Sequence, residues 1–247
     1  MEELLTMSAQ VFVDFKQHVI ACYPEEACGL IRNGQYVPCK NVHSEPTKAF
    51  KIAAKDLIQP YEAVLHSHPY KLGDDSFKMK NDPSWASARD IEIFNQGNVP
   101  WGIVCTDGTG ISQINWLFNT QSYPVLGREF IHGTFDCYST VRDWYFQERG
   151  LDLPNYPRQY DWWNTGEDLY TQNFKDAGFY EITEEEADVG DSVLMRVMSP
   201  VPNHAAVITG NNEITHHLFH RLSETDRLNK WKKTVVKYLR NDNASVN

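Results

Sequence analysis

The stretch Asn119-Thr120-Gln121-Ser122-Tyr123-Pro124 decides how the chain is divided. It is polar and ends in a proline, which removes a ladder donor and stops the strand pattern before it. The order of elements differs on its two sides, so two domains are expected, residues 1–120 and 121–247. No internal repeat or low-complexity tract competes with that division.

Toward the N-terminus, Ile111 to Leu117 and Trp101 to Thr106 are apolar runs joined by the turn-prone Asp107-Gly108-Thr109-Gly110, and they read as strands. Before them the pattern predicts a helix over Ser84 to Asn95 and a strand from Ala63 into His66. Asn33-Gly34 marks a hairpin of Cys28 to Arg32 with Gln35 to Cys39. The first helix spans Ser8, its cap, to Ala21, with Val11, Phe12, Phe15 and Val19 at helical spacing and Pro24 as its stop. This is a mixed α/β pattern. Beyond the junction a helix opens at Cys137 behind Asp136 as cap, with Val141, Trp144 and Tyr145 on one face. A further helix is expected over Glu167 to Ala177, then short strands at Ser192 to Val197, Ala205 to Thr209, Glu213 to His217 and Val235 to Leu239. A helix followed by a meander of strands is α+β.

Composition bounds the function. With 23 Lys and Arg against 33 Asp and Glu the formal charge is −10, which opposes broad binding to nucleic acid or an anionic membrane. No window approaches the roughly 18 uninterrupted apolar residues of a membrane span. The opening Met1-Glu2-Glu3-Leu4-Leu5 lacks the basic segment and long apolar run of a secretory signal. The cysteines at 22, 28, 39, 105 and 137 are odd in number and include no Cys-x-x-Cys pair. Reduced thiols are therefore expected, rather than a disulfide framework or a thiolate zinc ribbon.

Two groups of residues carry chemistry. His66-Ser67-His68-Pro69 closes a strand, where residues two apart face the same way, so both imidazoles point to one site. Ser87 and Asp90 share one side of the predicted helix. Two His, one Asp and a free position for water are the ingredients of a hydrolytic zinc site. Glu26 stands at the mouth of the strand beginning at Cys28 as proton acceptor, with Glu25 as the alternative. A bare His-x-His is more often a pair of surface histidines, and Asp90 alone a helix-face charge. Order and spacing together raise the site above that reading.

That combination resembles the JAMM (MPN-plus) metalloprotease family, whose Glu-x-Cys-Gly, His-Ser/Thr-His-Pro, Ser-x-x-Asp and Pro-Trp signals stand here as Glu26-Ala27-Cys28-Gly29, His66-Ser67-His68-Pro69, Ser87-Ala88-Arg89-Asp90 and Pro100-Trp101. The resemblance implies a mixed sheet with flanking helices in which His66, His68 and Asp90 hold zinc. Glu26 would be the general base toward the attacking water, and Ser87 would stabilise the oxyanion. The chain departs from the family at Tyr70 to Pro83, a longer connection with Lys71, Asp74, Asp75, Lys78, Lys80 and Asp82 that would lid, block or redirect the site.

In the second domain Phe135-Asp136-Cys137-Tyr138 places a thiol at a helix start, where free amides and the helix dipole are expected to depress its pKa. Asn203-His204-Ala205-Ala206-Val207 offers an imidazole at the front of a strand. His216 lies in the next strand, across Gly210-Asn211-Asn212, placed to orient His204 as the third member of a Cys-His-polar triad. A cysteine on an amphipathic helix is by itself usually a small core residue. Together these residues, with Gly190-Asp191 before a strand, resemble the NlpC-type cell-wall peptidases, which are papain-like. The resemblance implies that Cys137 attacks the amide, His204 carries its proton and His216 orients His204, with His217 the fallback for the third role.

A JAMM-like domain followed by an NlpC-type domain resembles the tail assembly protein K family of long-tailed phages. The likeness covers nearly the whole chain, including Leu126-Gly127-Arg128-Glu129-Phe130-Ile131-His132-Gly133 and the closing Tyr238-Leu239-Arg240. It implies a virion protein of the tail tip, present in the host cytoplasm during assembly, with other tail-tip proteins as partners and peptidoglycan stem peptides as substrate. The contrasting expectation is a structural assembly factor with one or both sites idle.

Overall fold

In the computed structural model, which describes residues 7–71, 82–97 and 99–243, Asn33 and Gly34 both take positive φ, 50° and 69°. This two-residue turn matches the twist of the flanking strands and folds β1 (Cys28–Arg32) back on β2 (Gln35–Cys39). β1 also pairs antiparallel with β3 (Ala63–Pro69), which runs parallel to β4 (Trp101–Thr106). The crossover between those two carries α2 (Ala88–Phe94), and β5 (Asn115–Leu117) ends a sheet ordered β2-β1-β3-β4-β5. α1 (Ala9–Cys22), whose Val11 amide donates to the Ser8 hydroxyl, covers one face: Val11, Phe15 and Val19 pack with Ala27, Tyr36, Leu65 and Val104. On the other face Ile91 and Phe94 of α2 meet Cys28, Leu30, Val64, Trp101 and Ile103. The alternation of Val64 and Leu65 between these cores assigns His66 and His68 to the α2 face.

β3 ends at Pro69, where His66-Ser67-His68-Pro69 is expected to close the strand. Two expectations shift. The helix expected from Ser84 begins at Ala88, because Ser87 keeps an extended backbone and caps it. Of Ile111 to Leu117 the last three residues form β5, while Ile111 bridges Thr106 and the Ser112 hydroxyl receives the Cys105 amide. Within the longer connection from Tyr70 to Pro83, residues 72–81 lie outside the described residues.

The chain divides into two units, Met1–Phe118 and Asn119–Asn247, where the sequence pattern placed the junction at 120. In the second, Asp136 Oδ1 accepts the Ser139 amide at 2.8 Å and starts α3 (Cys137–Arg149), which Gly150 ends with φ 63°. After α4 (Leu169–Asn173) and β6 (Tyr180–Ile182) come β7 (Ser192–Met195), β8 (His204–Gly210), β9 (Glu213–His216), β10 (Glu224–Arg227), α5 (Leu228–Trp231) and β11 (Val235–Arg240). They form an antiparallel sheet ordered β10-β9-β8-β7-β11-β6. Val141 and Tyr145 of α3 pack on Leu194, Ala205, Val207 and Leu239. The opposite face buries Val193, Met195, Ala206, Ile208 and Ile214 under Leu228 and Trp231. The fold is a mixed α+β one with few helices. The five cysteines are free thiols, and among the described residues no helix is long and apolar enough to cross a membrane.

The chain after the junction is pinned to α3 by a buried ion pair. Arg128 Nη1 donates to Asp143 Oδ2, Thr120 Oγ1 donates to Asp143 Oδ1 at 3.0 Å, and Arg128 also serves the carbonyls of Tyr123 and Pro124. Removing one partner strands a buried charge, so Arg128→Ala is expected to cost the second unit about 3–5 kcal/mol. Lys237→Ala breaks the more exposed pair with Glu181 and should cost no more than about 1 kcal/mol. Urea unfolding of the two variants reads both.

Candidate active sites

β3 turns the His66 and His68 rings toward α2, and Asp90 meets them from the first turn of that helix. The two Nε2 atoms lie 3.0 Å apart, His66 Nε2 is 3.4 Å from Asp90 Oδ1, and His68 Nε2 is 3.3 Å from Asp90 Oδ2. A set of donor atoms, one from each residue, falls within 4.8 Å. Tetrahedral ligands about 2.0–2.1 Å from zinc stand roughly 3.3–3.4 Å from one another; each imidazole keeps about that spacing to one oxygen of Asp90, Oδ1 for His66 and Oδ2 for His68, so two nitrogens and a carboxylate suit that ion as three of its four ligands. His68 Nδ1 is 2.6 Å from the Pro83 carbonyl, which can only accept, so Nδ1 carries the proton and Nε2 faces the cluster as the titrating nitrogen. The Asp90 carboxylate is oriented in turn: its Oδ2 accepts the Ser87 amide at 2.8 Å and hydroxyl at 2.7 Å, while the Asp90 amide donates to Ser87 Oγ.

Charge follows from these contacts. Burial opposes ionisation of Asp90, but His66 and His68 hold its carboxyl well below the usual range. Burial also opposes charge on His68, yet Asp90 and Glu26 outweigh it and raise the ring to about 9, while burial pushes His66 down. The cluster thus holds a proton that a bound cation would displace. Glu26 is buried, and burial lifts its pKa to about 7, with His68 opposing and Asp90 adding to the rise. That lies near the value a general base needs at neutral pH. Glu25 is exposed and gives its amide to Cys22, so it stands outside the cluster. The structure therefore gathers His66, His68 and Asp90, with Glu26 in electrostatic reach. Ser87 is first of all the partner of Asp90.

In the second unit Cys137 opens α3, and its sulfur lies 3.2 Å from Tyr170 Oη. The Ala205 amide, immediately after His204, also acts on the thiol. The β8–β9 register pairs Ala206 with His216, and His204, two residues before Ala206, shares that face. His204 Nε2 consequently meets His216 Nδ1 at 3.0 Å, leaving His204 Nδ1 as the nitrogen not engaged by His216. His217 is directed elsewhere, its Nε2 3.1 Å from the Arg221 carbonyl.

The expected depression of the thiol pKa is corrected here. Cys137 is half-buried as a residue, but the protein around its sulfur pushes the thiol up to about 11. Asp136 adds to the rise, against Tyr170, the Ala205 amide and Arg158. Burial likewise drives His204 down to about 3, helped by His216 and His217. Each group alone resists charge. A proton passed from a thiol to an imidazole charges both groups at once with no net charge buried, so the resistance of each group by itself does not exclude such a transfer. Tyr170 carried no recognisable sequence signal: its place in a predicted helix says nothing of Cys137, and the contact is tertiary.

Residues 125–240 match the NlpC/P60 family. Over 173 residues the chain is 35% identical to the tail tip assembly protein K of Escherichia phage lambda, covering 69% of this chain and 77% of that protein. Over 237 residues it is 30% identical to the tail tip assembly protein K of Escherichia phage N15, covering 90% of each. This chain belongs to the tail tip assembly protein K family. In this K-family chain Cys137, His204 and His216 fall inside the NlpC/P60 stretch, and His66, His68 and Asp90 outside it. Among solved structures, the NlpC/p60 domain of the peptidoglycan hydrolase SagA is a remote likeness, with TM-score 0.33 and 16% identity over 49% of this chain and 93% of that one.

Glu26 provides a test independent of turnover. A carboxyl whose folded pKa lies above its unfolded value binds its proton more tightly when folded, so stability is greatest below the unfolded value of 4.5 and declines as pH rises to about 7. Glu26→Gln removes that decline. In the presence of a chelator the variant should exceed wild type by at most about 3 kcal/mol at pH 8 and show no gain at pH 4, as measured by urea unfolding.

Proposed function

We propose that this K-family chain is a two-site hydrolase of the phage tail tip. The second unit is a cysteine peptidase that cuts amide bonds of murein stem peptides, the bond from D-glutamate to diaminopimelate being the target. The observation that carries this reading is the 3.0 Å contact between His204 and His216, which fall with Cys137 inside the NlpC/P60 stretch. Cys137 Sγ attacks the carbonyl carbon while its proton passes to His204 Nδ1, and His216 steadies the ring that receives it. The C–N bond breaks as His204 returns the proton to the leaving amine, and a thioester remains. Water then attacks the thioester, giving a proton to His204, and releases the new carboxyl group and the thiol.

The first unit is a zinc-dependent amide or isopeptide hydrolase of the JAMM type, held by His66, His68 and Asp90. Zinc, when bound, polarises a scissile carbonyl and makes water more acidic. Glu26 accepts the proton of the attacking water at its carboxylate. Ser87 orients Asp90, and to serve an oxyanion its hydroxyl gives up that bond. A murein cross-link or a peptide bond of a tail protein is the substrate class. The protein resides at the virion tail tip after assembly in the host cytoplasm, with other tail-tip proteins as partners. With a charge of −10 it gains no attraction to acidic polymers, so its place in the tail brings it to the wall.

A second reading, an assembly factor with idle sites, is favoured by the resting thiol, bonded to Tyr170 and resistant to ionisation. Purified murein incubated with wild type should release soluble stem peptides that are absent with Cys137→Ala. Equal products from both, or none from either, would leave the assembly factor standing. For the first unit, metal analysis should find zinc in wild type and its loss in a folded His68→Ala protein. Equal zinc in the two would remove the metal assignment.

A further inference from the structure

Behind His216 stands a residue that the scheme above does not use. Trp231, the last residue of α5, sets its indole against both imidazoles. The ring centroids are 5.1 Å apart for His216, nearly perpendicular at 76°, and 6.2 Å apart for His204. The indole is itself held. Its Nε1 donates to Asp226 Oδ2 at 3.1 Å, Lys230 binds the same carboxylate, and the Trp231 carbonyl accepts both the amide and the hydroxyl of Thr234 at 2.7 Å. His216 is fully buried, and its Nε2 has no hydrogen-bond partner among the described residues.

Two proton arrangements satisfy the contact between His204 Nε2 and His216 Nδ1. In one, His216 donates from Nδ1; neutral His204 then carries its proton on Nδ1 and cannot accept the proton of Cys137 at that atom. In the other, His204 donates from Nε2, its Nδ1 lone pair is free, and His216 carries its proton on Nε2. The second arrangement buries an N–H that needs an acceptor. The face of an aromatic ring is a weak acceptor of such a proton, and the indole stands across His216 at the required perpendicular angle.

We propose that Trp231 is a positioning residue of the cysteine site: its indole face receives His216 Nε2–H and so holds His204 in the tautomer able to take the proton of Cys137. The charged groups acting on His216 are Asp226 and Glu224 on β10, which favour its protonation, and Arg221 and Lys230, which oppose it. Those acting on His204 are His216, His217 and Asp136. Burial outweighs these charges at both rings and keeps them neutral, the state in which one proton arrangement excludes the other.

The purpose of this device rests on the peptidase reading, but the arrangement belongs to the resting protein and is measured without substrate. Imidazole 15N spectra of wild type should show His204 and His216 both protonated on Nε2. Trp231→Leu, which fills space without a ring face, should move the His216 proton to Nδ1 and slow iodoacetamide alkylation of Cys137 about tenfold. Trp231→Phe, which restores a ring face, should return both readouts toward wild type. Should Trp231→Leu fail to fold, Asp226→Ala releases the indole and should change the spectra in the same direction. A wild-type His216 protonated on Nδ1, or folded variants that keep wild-type tautomers and alkylation rate, would overturn the proposal. Wild type with the expected spectra that releases no stem peptides from murein would instead defeat the peptidase reading and leave the proton arrangement intact.

Discussion

A β-strand turns every second side chain to the same face, and the imidazole pairs of both sites depend on that constraint. On β3 it brings His66 and His68 together on one strand. On β8 and β9 it acts across a pairing: Ala206 opposes His216, so His204, two residues before Ala206, looks to the same side. A slip of one residue would send these rings to the other face. Turns hold the register. Asn33 and Gly34 fix β1 against β2, and Asn212 at φ 59° fixes β8 against β9, with an irregularity between Ile208 and Gly210 taking up the mismatch.

The other half of each site comes from the first turn of a helix, and the residues that start those helices also place the reactive groups. Ser87 and Asp90 form a capping box, so the contacts that begin α2 also aim the carboxylate that faces His66 and His68. Asp136 begins α3 by accepting the Ser139 amide, and its Oδ2 receives Gly133 N–H at 2.9 Å and Arg158 Nε at 2.8 Å. Cys137 is fixed in place by this network. The same carboxylate opposes a negative charge on the neighbouring sulfur, so secure placement comes with a thiol that ionises reluctantly.

What could be read in the sequence was local. Asn33-Gly34, Ser8, Asp136 and the two-residue spacing of His66 and His68 announce their roles through backbone chemistry that spans a few positions. β6 and β10 gave no such signal, since Tyr180-Glu181-Ile182 and Glu224-Thr225-Asp226-Arg227 are short edge strands with exposed charges, the composition that shields an edge from unwanted pairing. Ser84 looked like part of a helix because apolar spacing continues through it, whereas the Ser87 cap starts the helix later. The thiol pKa was misjudged because the helix-end amides are visible in sequence, but the depth of burial is not. Tyr170 and Trp231 belong to the tertiary contacts, where no spacing rule points to them.

The two imidazole pairs show how neighbours, and not the pair itself, decide the chemistry. In each, a ring nitrogen meets a ring nitrogen at 3.0 Å. Beside His66 and His68 stand Asp90 and Glu26, and this negative surrounding lifts His68 to about 9, so positive charge is favoured there. Beside His204 and His216 stand the indole of Trp231 and a further imidazole, and burial prevails, with His204 driven down to about 3. A site that welcomes positive charge suits a cation. A site that rejects lasting charge on either ring suits a proton that arrives from sulfur and leaves again, because charge exists there only while both partners of the transfer carry it. The same contact distance therefore sits in two opposite electrostatic surroundings, set by a pair of carboxylates in one unit and by burial against an aromatic wall in the other.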